Sequence, residues 1–351
     1  MKRATMVIGK TKAALGVTLV LAGLGALPAS AQSLDVPSKA WGLSVGNSRD
    51  FTGLRFNFRD SRVIRITGVN VTLWEPRKDN KASVVKGLSF GLIPGGGEMT
   101  GLQLGILGPG AERKMTGLNL GLVGAGSGGD LAGLTVGGLG AGAGGSVVGI
   151  TIGGLGAGAG EDLTGLNLGG LGVGAGKSVL GVTAGGLGAG AGEDMTGLNV
   201  GGLGIGAGKN LRGLTLAGLG AGAGETLGGI TVAGVGVGAG KELVGLTLCG
   251  VGAGAPKVRG LAVAGIGVGG VELTGAFLAG ATVRVEGGGR LTGLGVSAVN
   301  YIKGTLNGVS IGIVNYAWHL AKGFELGLVN IVRDNPAGLK VLPVFNTHFK
   351  N

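Results

Sequence analysis

The sequence predicts an all-β fold, a repeat β-solenoid with about 16 residues per coil, and three observations carry that prediction. The first is the repeat. From Gly149 to Val244 one unit is written six times, as GITIGGLGAGAGEDLT, GLNLGGLGVGAGKSVL, GVTAGGLGAGAGEDMT, GLNVGGLGIGAGKNLR, GLTLAGLGAGAGETLG and GITVAGVGVGAGKELV. A fixed period held in register over this distance marks stacked β-units rather than a globular enzyme core.

The second observation is a change of parity inside each unit. Strand side chains alternate faces with period two. In Gly197 to Arg212, Leu198 and Val200 share one parity, and Leu203, Ile205 and Ala207 share the other. The change falls at Gly201-Gly202 and recurs at Gly153-Gly154, Gly169-Gly170 and Gly185-Gly186. Glycine suits a corner because it reaches positive φ without a Cβ penalty. Each unit reads as two short strands with Leu198, Val200, Leu203 and Ile205 facing inward. A Gly-Gly corner separates the strands, and a polar corner such as Gly208-Lys209-Asn210 follows them.

The third observation is alternation between coils. Glu161-Asp162, Lys177, Glu193-Asp194, Lys209, Glu225 and Lys241 give corners of alternating sign. Coils stack about 4.8 Å apart, so neighbouring corners attract, by under about 1 kcal/mol per exposed pair. Ala157, Val173, Ala189, Ile205, Ala221 and Val237 alternate small and large, which lets stacked layers interdigitate. The alternative is an outer-membrane up-and-down β-barrel with acidic and basic turns at opposite ends. Barrel strands alternate without a break over about ten residues, and the parity break in mid-unit counts against it.

Residues 1–31 read as a secretory signal, with Lys2, Arg3, Lys10 and Lys12 before the apolar run Ala13 to Leu27, and Ala29-Ser30-Ala31 before Gln32. Cleavage removes four basic and no acidic residues, taking the net charge from +11 to +7. Residues 32–86 read as an N-terminal cap with irregular first repeats, 87–292 as the glycine-rich array, and 293–351 as C-terminal repeats and cap. Unit starts run from Gly53 to Gly338, which predicts a rod on the order of 90 Å long. Unit lengths drift at both ends, and the extra residues there are expected to bulge out as loops.

Aromatics avoid the stretch from Gly91 to Ala276. Trp41, Phe51, Phe56, Phe58, Trp74 and Phe90 precede it, and Phe277, Tyr301, Tyr316, Trp318, Phe324, Phe345 and Phe349 follow it. They are expected to cap the open ends of the core, with a binding platform as the second reading. Arg55, Arg59, Arg62 and Arg65 read as the solvated edge of a capping coil.

No catalytic, metal-binding or cofactor-binding residue is expected, and no cofactor. Gly87-Leu88-Ser89-Phe90-Gly91 and Gly308-Val309-Ser310-Ile311-Gly312 fit the G-x-S-x-G pattern of serine hydrolases. Both sit where other units carry Asn or Thr, so periodicity accounts for them. Gly174-Ala175-Gly176-Lys177-Ser178 lacks the first glycine of a phosphate loop and its strand-to-helix context. His319, His348 and Cys249 are too few for a metal site, and Cys249 occupies a phase held elsewhere by Gly or Ala.

The expected contact face is the polar column Thr135, Thr151, Asn167, Thr183, Asn199, Thr215, Thr231 and Thr247, preceded by Asn119, which is read as pointing outward on one flat side. On the other side Gly204, Gly206 and Gly208 leave a bare backbone, which admits close approach of another sheet.

GVSIGIVNYAWHLAK at Gly308 to Lys322 and GFELGLVNIVRDNPA at Gly323 to Ala337, followed by Leu342-Pro343-Val344-Phe345-Asn346, resemble the bacterial surface-repeat proteins built from G-L-x-x-G-L-V-N units. That family is typified in spirochaetes and occurs in other diderm bacteria. The full motif covers about the last fifty residues. The central units keep the leading G-L-x-L and the period but replace the second half with Gly-Ala-Gly-Ala. The resemblance implies an exported, surface-associated protein and carries over no catalytic residue. The expected function is a non-enzymatic structural or binding role at the cell surface or outer membrane, in preference to the periplasm. The expected partners are an envelope component, a polysaccharide or a second copy, with membrane association open and nucleic acid excluded by export.

Overall fold

The computed structural model describes residues 33–349, so the expected signal segment lies outside the described residues. They form thirty β-strands and one short 3-10 turn, Lys78–Asn80, wound into a β-solenoid of about 17 turns. Each regular coil supplies a long strand and a short one, as in Met195–Gly201 and Gly204–Ala207. Long strands pair in parallel with long strands of the adjacent coils at the repeat spacing, Leu166 with Val182 and Val182 with Leu198. Short strands pair with short strands, as Ala189 with Ile205. The barrel alternative falls here. An up-and-down barrel needs antiparallel neighbours, whereas every pairing within the array is parallel.

Antiparallel strands occur at the two ends. Ser33–Pro37 lies against Trp41–Gly46, and Val341–Thr347 lies against Val314–Val332. Each gives the terminal coil a partner for backbone groups that would otherwise form an open edge. The irregular coils bulge as their lengths require. Register shifts between Val285 and Arg290, where Glu286, Gly287 and Gly288 stand exposed.

Three glycine phases are fixed by the stacking, one of them the glycine before the polar corner, where a Cβ on Gly208 would lie 2.0 Å from the Gly192 carbonyl oxygen. The first residue of each unit has positive φ, +117° at Gly165 and +126° at Gly197, and a Cβ on Gly165 would lie 2.0 Å from the Gly149 carbonyl oxygen. At the Gly-Gly corner, a Cβ on Gly170 would lie 1.9 Å from the Gly154 oxygen. Any side chain there would strike the coil beneath it. This is why the glycine pattern is so strict.

The core shows which way each strand faces. Leu163, Val179, Met195, Leu211, Leu227 and Leu243 form a fully buried column just after the polar corner. Ala157, Val173, Ala189, Ile205, Ala221 and Val237 are buried in register, small beside large, as expected. Alternation from Met195 puts Asn199 and Gly201 inside, and Leu198 and Val200 outside.

The expected contact face is therefore inverted. Thr135, Thr151, Asn167, Thr183, Asn199, Thr215, Thr231 and Thr247 are 0–3% exposed and point into the solenoid, as does Asn119. Leu203 is 49% exposed and Val200 36%; Leu198 is half-buried. Of the four residues expected inside, only Ile205 is buried. The error came from letting the apolar residues of one strand set its parity, when the residue that sets it is Met195 or Leu211 at the strand's start.

Candidate functional site: an apolar outer face

With the polar column inside, the outside of the long strands carries the aliphatic residues. Three columns run along the stack. One passes through Ile150, Val182, Leu198 and Leu214, the next through Ile152, Leu168, Val200 and Leu216. The third stands on the Gly-Gly corner as Leu139, Leu155, Leu171, Leu187, Leu203 and Leu219, each donating its backbone N–H to the carbonyl of the one before. The corner leucines are about half exposed.

A shallow apolar groove follows the same side. Near the N-terminal end, Phe58, Val71, Trp74, Phe90 and Ile106 line about 390 Å³ of it. It continues past Leu104, Leu120, Leu122 and Val136. In the regular array it lies over the glycine corners beside Ile152, Leu168 and Val200. The aromatics do not cap the core. Phe51 and Phe277 are buried within it, but Trp41, Phe56, Phe58, Trp74, Phe90 and Trp318 stand exposed on the outside. The ends are closed instead by the antiparallel strands and by buried polar networks.

The N-terminal network is built on Arg55, which lies inside the stack with Asp60, Asn70 and Thr72. Arg55 Nη1 donates to Asp60 Oδ1 at 2.6 Å and to Asn70 Oδ1 at 2.7 Å. Arg55, Arg59, Arg62 and Arg65 thus form no common surface patch; Arg62 reaches Asp79, and Arg59 Nε donates to the Glu75 carbonyl. The C-terminal network explains the Asn of the GLVN motif. Asn300 Nδ2 donates to Asn315 Oδ1 and Asn315 Nδ2 to Asn330 Oδ1, both at 2.7 Å, with all three side chains buried. In the array the corresponding column is Ala, Val or Ile, through Val268 and Val283.

The charged corners do what their alternation predicts. Lys177 lies 3.0 Å from Glu161, Lys209 3.0 Å from Glu193 and Lys241 2.9 Å from Glu225, each one coil away. The hydrogen bonds to Glu161 and Glu193 hold the Lys177 and Lys209 ammoniums above their ordinary pKa. The charges are spent on one another along a corner set apart from the aliphatic columns.

The other chemical candidates do not assemble. Ser89 and Ser310 both lie inside the stack; the Ser310 hydroxyl donates to Asn315 Oδ1 at 2.8 Å. At the Gly174 to Ser178 corner, the Ser178 backbone N–H is taken by Asp162 Oδ1. His319 Nδ1 is 2.6 Å from Asp334 Oδ2 on the surface. Cys249 continues the column of Ala233 and Ala264, and burial pushes its thiol pKa up. The bare glycine side holds for two of its three residues: Gly204 and Gly206 lie outward, and a Cβ on Gly206 would meet nothing within 4 Å, whereas a Cβ on Gly208 would strike the Gly192 carbonyl oxygen at 2.0 Å.

The chain matches no family model, no curated protein and no solved structure. What the structure offers is a surface. A monomeric soluble protein seldom exposes an apolar patch of more than about 600 Å², and this one extends over most of the stack.

Proposed function

We propose that the protein is a non-enzymatic, exported repeat protein with a structural or binding role at the bacterial cell envelope. The aliphatic outer face carries the reading. It repeats the same contact every coil, which suits an extended or planar partner rather than a single small molecule held in a pocket. The polar side chains at the repeat positions, Ser89, Thr183 and Asn199 among them, face the interior. The signal-like residues 1–31 and the GVSIGIVN and GFELGLVN units, with their likeness to bacterial surface repeats, support export and a place at the cell surface.

The test is to express the full chain with a C-terminal tag in a diderm host and follow it by fractionation, N-terminal sequencing and protease treatment of intact cells. Cleavage before Gln32 with recovery in the envelope fraction is expected. Uncleaved chain confined to the cytosol would overturn the reading.

A further inference from the structure

We propose that the aliphatic outer face docks on a lipid leaflet, with the solenoid lying along the surface of an anionic phospholipid bilayer. The inference names the partner of the binding role proposed above and rests on that reading only for where the bilayer is. Three observations commit the face to lipid.

The first is composition. The two long-strand columns hold an aliphatic residue or Phe at every outward position, one from Leu43 to Phe324 and the other from Val45 to Leu326. An interface between proteins carries about one hydrogen bond per 100–200 Å², and no side chain of these columns can make one. Repetition adds to this. Leu171, Leu187 and Leu203 offer the same contact on successive coils, so the array gives a protein partner no register, and a fluid leaflet needs none. The strands beneath pair in parallel with the coils on both sides, so seating the face in lipid strands no peptide group of the ladder.

The second is charge. The outward column beside the face, one residue before each unit's first glycine, carries Lys86, Arg212, Arg259 and Lys322 and no carboxylate between Trp41 and Lys322. Arg259 reaches Glu242 at 3.0 Å. Lys86, Arg212 and Lys322 are exposed and have no acidic partner among the described residues. Cations flanking an apolar face are the pattern by which an amphipathic element lies on anionic lipid. Their stems can run along the apolar surface while the charged heads reach the phosphates.

The third is the placing of aromatics. Phe56, Phe58, Trp74 and Phe90 stand exposed at the N-terminal end of the face, and Trp41 stands in the flanking column. A ring with an apolar body and one N–H suits the boundary between acyl chains and water.

Flotation of the purified full chain with vesicles of phosphatidylethanolamine and phosphatidylglycerol tests the proposal, and the chain is expected to rise with them. The triple variant Leu155→Glu, Leu187→Glu, Leu219→Glu alters three exposed side chains, so it should keep the circular dichroism of the wild type while its affinity for vesicles falls about 100-fold or more. Lys86→Gln, Arg212→Gln, Lys322→Gln should weaken binding to these vesicles about tenfold or more and leave binding to pure phosphatidylcholine nearly unchanged. Orientation is read by brominated acyl chains in chains that keep one tryptophan, the others being changed to Phe. They should quench Trp74 and spare Trp318, which lies two residues beyond Tyr316 on the side of Gly269, Arg284 and Tyr301.

A chain that stays out of the vesicles, binding indifferent to the three glutamates or to the three glutamines, or quenching of Trp318 in place of Trp74 would each overturn the proposal. A stable dimer that does not float would assign the face to a second copy instead. An uncleaved cytosolic chain that floats would sink the envelope reading and leave this one standing, and a cleaved, exported chain that does not float would do the reverse.

Discussion

Arg55 Nη1 donates to Asp60 Oδ1 at 2.6 Å with both side chains out of water, one coil in from the N-terminal edge of the parallel stack. Asn57 and Thr72 also donate to the Asp60 carboxylate. A charged pair placed here fills the interior column that Asn and Thr fill farther along, and it ties Asp50–Asn57 to the loop before Arg65–Thr72. Removing one partner leaves the other charge buried alone. Arg55→Ala and Asp60→Ala should each cost about 3–5 kcal/mol in urea denaturation. A loss below about 1 kcal/mol would show that the pair is solvated.

The facing of the long strand gives a sharper contrast. Met195 is fully buried and Leu203 about half exposed. Met195→Asp puts a carboxylate into the core and should abolish folding or cost more than about 4 kcal/mol. Leu203→Asp should stay within about 1 kcal/mol of the wild type, since it changes only a solvated corner. Thermal melts of the two variants decide the matter, and a reversal of their order would restore the inward assignment of Leu203.

That contrast also marks how much of the molecule was legible. Period, coil length, corner positions and charge alternation are set by backbone rules and by contacts between identical positions, and the Gly-Gly pairs and Lys177 with Glu161 show them in the sequence. The inside and outside of the long strand were not legible in the same way. Both parities are acceptable β-formers, Leu198 on one and Asn199 on the other, and the habit of burying leucine chose wrongly. The signal lay in Leu163, Val179, Met195 and Leu211, apolar in every coil at the strand's start. The candidate site was missed for the same reason, because its residues had been placed in the core.

Asparagines in the two interior ladders should answer differently to substitution. Asn315 donates to Asn330 and to the Leu326 carbonyl, and accepts from Asn300 and Ser310. Asn315→Ala strands several buried groups and should cost about 2–4 kcal/mol. Neither amide atom of Asn199 has a partner. Asn199→Leu removes an unsatisfied amide at similar volume and should be neutral or stabilising by up to about 2 kcal/mol. Equal losses from both variants, measured by denaturant unfolding, would contradict the bonding pattern.

Glu325 continues the interior column at the C-terminal end, in register with Ser310 and opposite Asn346 of the closing strand. It is fully buried, and neither carboxylate oxygen makes a well-formed hydrogen bond; the nearby Ile331 backbone N–H offsets the burial only in part. Burial pushes its pKa from 4.5 up to about 8. The folded state then holds a proton that the unfolded chain gives up between these two values. Because the native state binds more protons over that window, the contribution of Glu325 to stability is most favourable below about pH 4.5, falls as pH rises toward 8, and levels off above it. At pH 7 the penalty is up to about 3 kcal/mol. Glu325→Gln keeps the shape without the charge, so it should raise the melting temperature at pH 7 and flatten the dependence from pH 5 to 9. Parallel pH profiles for wild type and variant would show that the carboxylate is already ionised and solvated in the folded chain.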